Sequence, residues 1–268
     1  MRQDHDDPCD GLCAIAVMAK TPQPGRSKTR LCPPLRPEQA AALSAAFLRD
    51  TTENLREAAR QAPIARYAAY APIGTEPLLQ NHIAHGTKLL PADGAVPMPS
   101  GVAGFGRCLL HAIQGMFAAG HGAACVLSSD IPTLPTRVLV QAARLLLAPP
   151  ASTTHASAPA ASAPTPPCPG RVVLGACDDG GYYLLGMTAP HAFLFTDIAW
   201  STETVAEATR ARARTLGLDL VELEPWYDVD DADSLATILD EPAGYAAPFT
   251  GSAIARLGLR ATLAPLAS

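Results

Sequence analysis

The chain has 268 residues, 48% of them hydrophobic, with a formal net charge of −5 and a pI near 5.8. That length supports one substantial core or two small ones. The acid excess excludes the global basic field of a nucleic-acid binder, so the cations matter only where they cluster. Seven cysteines at irregular spacing, with no C-x-x-C, support neither a zinc site nor a disulfide framework. They read as free thiols of a reducing cytosol.

Met1 to Asp10 is acidic and polar, unlike a signal or transit peptide, and residues 1–11 read as a disordered N-terminus. No apolar run approaches the roughly 18 residues of a membrane span, so a cytoplasmic protein is expected. Leu12 to Ala19 reads as a buried parallel strand. It runs into a loop holding Gly25 and the cations Lys20, Arg26, Lys28 and Arg30. A loop in that position of an open α/β sheet commonly holds phosphate, and the alternative is a solvated basic loop. It is not a Walker A loop: Ser27 stands where Gly is needed before the Lys, and Pro22 where the first Gly should be. No G-x-G-x-x-G follows the strand, which argues against a dehydrogenase.

From Pro37 the pattern turns helical, with Ala40, Leu43, Phe47 and Leu48 on one face up to about Ala62. Ile64 to Ala71 is a second strand, ended by Pro72. A short helix over Glu76 to Ala84 and a weak strand over Lys88 to Leu90 follow. Arg107 to Ala119 is a helix stopped by Gly120 and Gly122. Ala123 to Ser128 is a strand that ends at Ser129-Asp130-Ile131-Pro132, and Thr136 to Leu147 is helical again. Residues 148–170 are almost entirely Ala, Pro, Ser and Thr, and read as a disordered insertion or an interdomain linker.

Arg171 to Gly175 and Tyr182 to Met187 read as strands joined by Asp178-Asp179-Gly180-Gly181, which is hairpin-turn chemistry. Thr202 to Leu216 is a helix with Ser201 or Thr202 as its cap. Leu220 to Leu223 is a short strand, and Asp231 to Leu239 a final helix capped by an Asp. Residues 241–268 read as a C-terminal tail. Strands alternating with helices, plus one antiparallel excursion, predict an α/β fold: a three-layer sandwich around a mostly parallel mixed sheet, spanning residues 12–240.

Several carboxylates stand where chemistry is expected. Asp130 follows a buried strand and suits either a divalent cation on a nucleotide diphosphate or a turn cap before Pro132. Asp179 lies in a tight turn. Asp228-Val229-Asp230-Asp231 precedes a helix, where acids also favour the macrodipole. The seven histidines show no metal-ligand spacing.

The order of these motifs resembles the glycosyltransferase-like family with the nucleotide-diphospho-sugar transferase (GT-A) fold, often encoded beside radical-SAM and selenium-domain proteins and linked to arsenosugar biosynthesis. The stretches that carry it are Ala19-Lys20-Thr21-Pro22, Pro24-Gly25, Lys28-Thr29-Arg30-Leu31 and Ser129-Asp130-Ile131-Pro132-Thr133-Leu134. Asp179-Gly180-Gly181-Tyr182-Tyr183-Leu184, Trp200-Ser201-Thr202 and Asp228-Val229-Asp230 complete it. Ala103 to Cys108 lacks an acid the family usually carries there, and Ala176-Cys177 replaces its Pro and Ala. The resemblance implies sugar transfer from a nucleotide-diphosphate donor to a small-molecule acceptor, assisted by Mg²⁺ or Mn²⁺. It places the metal on Asp130 with Asp228 or Asp230, and phosphates on Lys20, Lys28 and Arg30. Gly25, Gly180, Gly181 and Tyr182 would approach the substrate, and Asp179 would act as general base. The K-T-R-L loop also resembles guanylyltransferases acting on phospholactate or the molybdenum cofactor, which implies nucleotidyl transfer from a nucleoside triphosphate as the alternative. A degenerate nucleotide-binding protein is the third possibility.

Overall fold

Cys13–Lys20 (β1) is apolar on both faces, and Cys13 through Val17 are fully buried, as a central parallel strand requires. A computed structural model of the chain describes residues 11–94, 97–149, 170–239 and 244–263. The expected disordered N-terminus through residue 10, and residues 150–169 of the Ala/Pro-rich segment, lie outside the described residues. β1 is flanked by Ile64–Ala71 (β2) on one side and Ala123–Leu127 (β4) on the other, parallel to both. Lys88–Pro91 (β3) extends the sheet beyond β2. Beyond β4 come Tyr182–Met187 (β6), Arg171–Ala176 (β5) and Asp219–Glu222 (β7). The order is β3-β2-β1-β4-β6-β5-β7, and β6 alone runs antiparallel to its neighbours. The expected α/β class and single antiparallel excursion are both present, and strands on either side of the 148–170 segment share one sheet.

Alternate residues of β1 divide the core. Cys13, Ile15 and Val17 face Pro37–Ala58 (α1) and Thr136–Leu147 (α4), while Ala14 and Ala16 face Phe105–Ala118 (α3). Ala213 of Val205–Thr215 (α5) joins the second face. Glu76–Leu79 (α2) leads into a 3₁₀ turn over Gln80–His82, shorter in its α-helical part than expected. Helix α5 begins three residues later than the sequence suggests. Ser201 takes a left-handed backbone at φ 64° and Thr202 bonds the Ala199 carbonyl, so neither caps the helix.

A third core lies on the other side of α1. Leu43 and Phe47 pack there with Leu31, with Val229, and with Leu235 of Ala232–Leu239 (α6). Asp231 caps α6 as expected, accepting the Ser234 amide at 2.8 Å. The expected C-terminal tail is a correction. Pro248–Arg256 (α7) and Leu259–Leu263 (α8) are helices, and Ala253, Ile254 and Leu259 enter this third core. The first turn of α7 is held by Asp50, a fully buried residue of α1 that accepts the Phe249 and Thr250 amides at 3.1 and 2.6 Å. Among the described residues, no helix is long and apolar enough to cross a membrane.

Candidate active site

The chain leaves β1 for β2 and β3 on one side, then returns to place β4 on the other. Ligands of open α/β sheets bind in the crevice that such a switch opens outside the carboxyl ends of the strands. A cavity of about 550 Å³ occupies that place, lined by the ends of β1 and β4, the loop after β1, and Tyr182. A second cavity of about 250 Å³ adjoins it over the β5–β6 turn. The two share Arg30, Phe105, Tyr182, Ser201 and Asp230.

The loop after β1 is wound tightly. The Arg26 and Ser27 amides both donate to the Gln23 carbonyl, and the buried Ser27 hydroxyl accepts the Gln23 amide at 3.0 Å. Leu31 anchors its far end in the third core. Between these fixed points Lys28 adopts a left-handed backbone, φ 50°, and its side chain is 6% exposed. Its ammonium lies 2.8 Å from Asp130, 2.7 Å from Asp230 and 2.6 Å from the Val229 carbonyl. Burial pulls the ammonium down, and the two carboxylates outweigh it, leaving the pKa above the ordinary lysine value. An ammonium has three donors, and all three are used. Lys28 lines the larger cavity, yet it meets carboxylates where the sequence suggested phosphates.

Asp130 is not a turn cap. One of its oxygens takes Lys28 and the other accepts the Ser129 hydroxyl at 3.2 Å, while its amide donates to Ser128. Its carbonyl accepts the Val229 amide at 2.8 Å, which ties the exit of β4 to the Asp228–Asp230 segment. The exposed cations of the cleft are Lys20, at the end of β1, and Arg30, 66% exposed and ion-paired with Asp230 at 3.5 Å. Arg26, also exposed, joins them on the larger cavity. Gly25 sits at a left-handed turn and lines neither cavity.

At the β5–β6 turn the Gly181 amide donates to Asp179 at 2.8 Å, and the Cys177 amide donates to the Gly181 carbonyl at 3.0 Å. Gly180 is left-handed at φ +86°, and a Cβ there would overlap the Glu203 carbonyl. The Gly180 carbonyl accepts the Ala206 amide at 3.0 Å, so the turn is docked on the start of α5. Gly180 therefore serves packing and lines neither cavity, whereas Asp179, Gly181 and Tyr182 line the smaller one. Trp200 walls it. Its indole lies over Gly106, where a Cβ would come within 2.7 Å, and meets Phe105 and Tyr182 edge-on. The Tyr182 hydroxyl is buried without a hydrogen-bond partner among the described residues, and burial raises its pKa.

Of the acids assigned to the metal, Asp130 with Asp228 or Asp230, Asp228 has a different set of immediate partners, although it feels the charges of both Asp230 and Asp130. Asp130 and Asp230 share Lys28, whereas Asp228 stands with Cys177 and Asp179, whose donor atoms all lie within 4.8 Å of one another. Burial, then the charges of Asp230 and Asp179, push Asp228 up to about 7, against the opposing pull of Lys28. Burial, then the charges of Asp228 and Asp179, raise the Cys177 thiol. This donor set suits a divalent cation. Cys177 was not singled out as a ligand, although its place two residues before Asp179 was the available hint. The sequence marks Trp200 only as part of the W-S-T motif and Phe105 not at all as a cavity residue, because only the folded chain brings α3 beneath that segment.

Sheet order, layers and crevice define the α/β class of nucleotide-diphospho-sugar transferase folds. A protein described as a "putative nucleotide-diphospho-sugar transferase" from Desulfovibrio desulfuricans G20 superimposes with a TM-score of 0.72 at 22% identity, over 95% of this chain and 97% of that one. A CMP:2-keto-3-deoxy-manno-octonic acid synthetase bound to CTP aligns more loosely, with a TM-score of 0.47 at 13% identity over 85% and 96% of the two chains. The chain belongs to the family described as "Uncharacterized protein conserved in bacteria" (DUF2064), which matches residues 54–202. No curated protein matches it in sequence.

Proposed function

We propose that this protein is a transferase that moves a sugar from a nucleotide-diphosphate donor to a small-molecule acceptor. The observation that carries the reading is the pair of joined cavities, because transfer needs two ligands to meet at one point. The larger is within the usual range of small-ligand pockets, about 300–1,000 Å³, and lies at the switch point of the sheet. It takes the donor, with Lys20, Arg26 and Arg30 set against the phosphates. The smaller, with Trp200 and Phe105 as its apolar wall and Asp179 as its carboxylate, takes the acceptor. Arg30 and Asp230 stand where the two meet. As the glycosidic bond breaks, negative charge gathers on the departing nucleoside diphosphate, and fixed cations help most where that charge develops. A divalent cation on Asp228 and its neighbours would add Lewis-acid stabilisation there. Lys28 holds Asp130 and Asp230 in place and, with Arg30 on Asp230, offsets their charge, so that the phosphates do not meet bare carboxylates.

The test offers the purified protein sugar nucleotides and nucleoside triphosphates with Mg²⁺, Mn²⁺ or Zn²⁺, first for thermal shift and then for turnover. Ligands that bind the folded state raise the melting temperature by mass action. Acceptor-dependent release of nucleoside diphosphate is expected, and Arg30→Ala should weaken donor binding about tenfold, the scale of one charge-assisted hydrogen bond. Release of pyrophosphate from a triphosphate would replace this reading with nucleotidyl transfer.

A further inference from the structure

Cys177 is an unusual residue to find beside the acids of this cleft. Its side chain is 8% exposed, it belongs to the core beneath α4, and its sulfur forms no hydrogen bond within the described residues. It is brought there by backbone pairing: the Trp226 amide bonds the Ala176 carbonyl at 3.1 Å, and Cys177 forms an isolated parallel bridge with Trp226 beyond the end of the β5–β7 ladder. Asp228 follows Trp226 by two residues, and Asp179 follows Cys177 by two. The segments that carry the three side chains are thus fixed to each other by the sheet. One sulfur and two carboxylate oxygens lie within 4.8 Å of one another, and the sulfur is the buried member.

We propose that Cys177, Asp179 and Asp228 form a binding site for a borderline-soft divalent cation of the Zn²⁺ type, and that Lys28 keeps Asp130 and Asp230 out of it. Zinc binds thiolate sulfur at about 2.3 Å and carboxylate oxygen at about 2.0–2.2 Å, so small side-chain rotations close these donors onto one ion. A thiolate in the set selects Zn²⁺ or Co²⁺ over Mg²⁺, which prefers oxygen alone. Three protein ligands leave a fourth position open, the pattern of zinc sites that meet substrate rather than those that only brace a fold. That position is approached from the smaller cavity, which Asp179 lines. Cys177 belongs to the apolar core that also holds Tyr183 and Leu223, and that side of the site keeps water from competing for the ion. Asp179 then meets the acceptor side as a ligand rather than as a base. Cysteine spacing alone gave no zinc pattern because two of the donors are aspartates, one of them 51 positions along the chain from Cys177.

The proposal concerns the cation and not the transferred group, so its test uses no nucleotide. The full chain, stripped of metal with a chelator, is titrated with Co²⁺. A thiolate-to-cobalt charge-transfer band in the near ultraviolet is expected, with tetrahedral visible bands, both abolished by equimolar Zn²⁺ but not by excess Mg²⁺. Cys177→Ala removes the charge-transfer band and weakens Zn²⁺ about 100-fold in competition with a chromophoric chelator. Alanine is a small apolar substitute for a buried thiol, and circular dichroism checks that the variant folds. Asp179→Asn keeps an oxygen for the Gly181 amide and so preserves the turn; it weakens Zn²⁺ about tenfold while retaining the band. Absence of the band in the unaltered chain, its survival in Cys177→Ala, or Mg²⁺ binding as tight as Zn²⁺ would each overturn the proposal.

Discussion

Lys28 is the residue on which the charges of this cleft depend. Removing one partner of a buried ion pair typically costs about 3–5 kcal/mol. With Asp130 and Asp230 31% and 37% exposed, solvent screening lowers the expectation for Lys28→Met to about 1–3 kcal/mol. The loss depends on pH. Without the ammonium, Asp228 loses the charge that opposes its raised pKa, so it is protonated still more readily in the folded chain than in the unfolded one. A carboxyl whose folded pKa is raised favours the fold at low pH, and that contribution disappears as pH rises through the folded value. Asp228 already stands near 7 against an ordinary 3.8, and loses the opposing pull of Lys28 in this variant. Urea unfolding at several pH values should therefore show Lys28→Met near the unaltered chain around pH 4 and most destabilised above pH 7. An equal loss at both ends would mean that Lys28 acts through packing alone. None of this was legible locally. The sequence shows a cation in a loop, and only contacts about 100 and 200 positions away turn it inward.

At the scale of elements, the strands and helices α3, α4 and α6 lie within a residue or two of where hydrophobic period and Gly/Pro breaks put them, whereas α1 ends about four residues earlier. β2, β6 and α4 begin and end where expected, because each is a dense apolar run with clear flanks. α7 escaped notice for the opposite reason. It is nine residues of mixed character, and its first turn is satisfied by Asp50, about 200 positions earlier. Burial raises the Asp50 pKa, while the two amides pull it back. Asp50→Ala leaves those amides unpaired and is expected to cost about 1–2 kcal/mol, the upper range for a lost helix cap. Hydrogen exchange should show α7 opening before the sheet does, and unchanged protection of α7 would refute the assignment. Helix α5 makes the same point from its other side: Thr202 looked like its cap, yet the orphan Ala206 amide finds the Gly180 carbonyl on a neighbouring turn.

At the scale of the whole molecule, one sheet holds the strands on both sides of the Ala/Pro-rich segment, so that segment does not join two cores. The Arg171 guanidinium reaches the Leu145 and Ala148 carbonyls at 2.6 and 3.4 Å, which places the two flanks of residues 150–169 side by side. Replacing those residues with a short Gly/Ser turn should leave the melting temperature within about 3 °C, because loop-closure entropy changes by only about 0.6 kcal/mol per twofold change in length. A drop well beyond that would assign the segment a role in folding.

Val229 joins the third core to the cleft. Its side chain is fully buried among α1, α6 and α7, while the residues on either side of it, Asp228 and Asp230, carry the charges of the site. The C-terminal helices thus buttress the segment that carries Asp228 and Asp230. Loosening them would shift two carboxylates without touching the sheet, and damage near the chain's end would surface as weakened ligand affinity in a protein that still melts cooperatively.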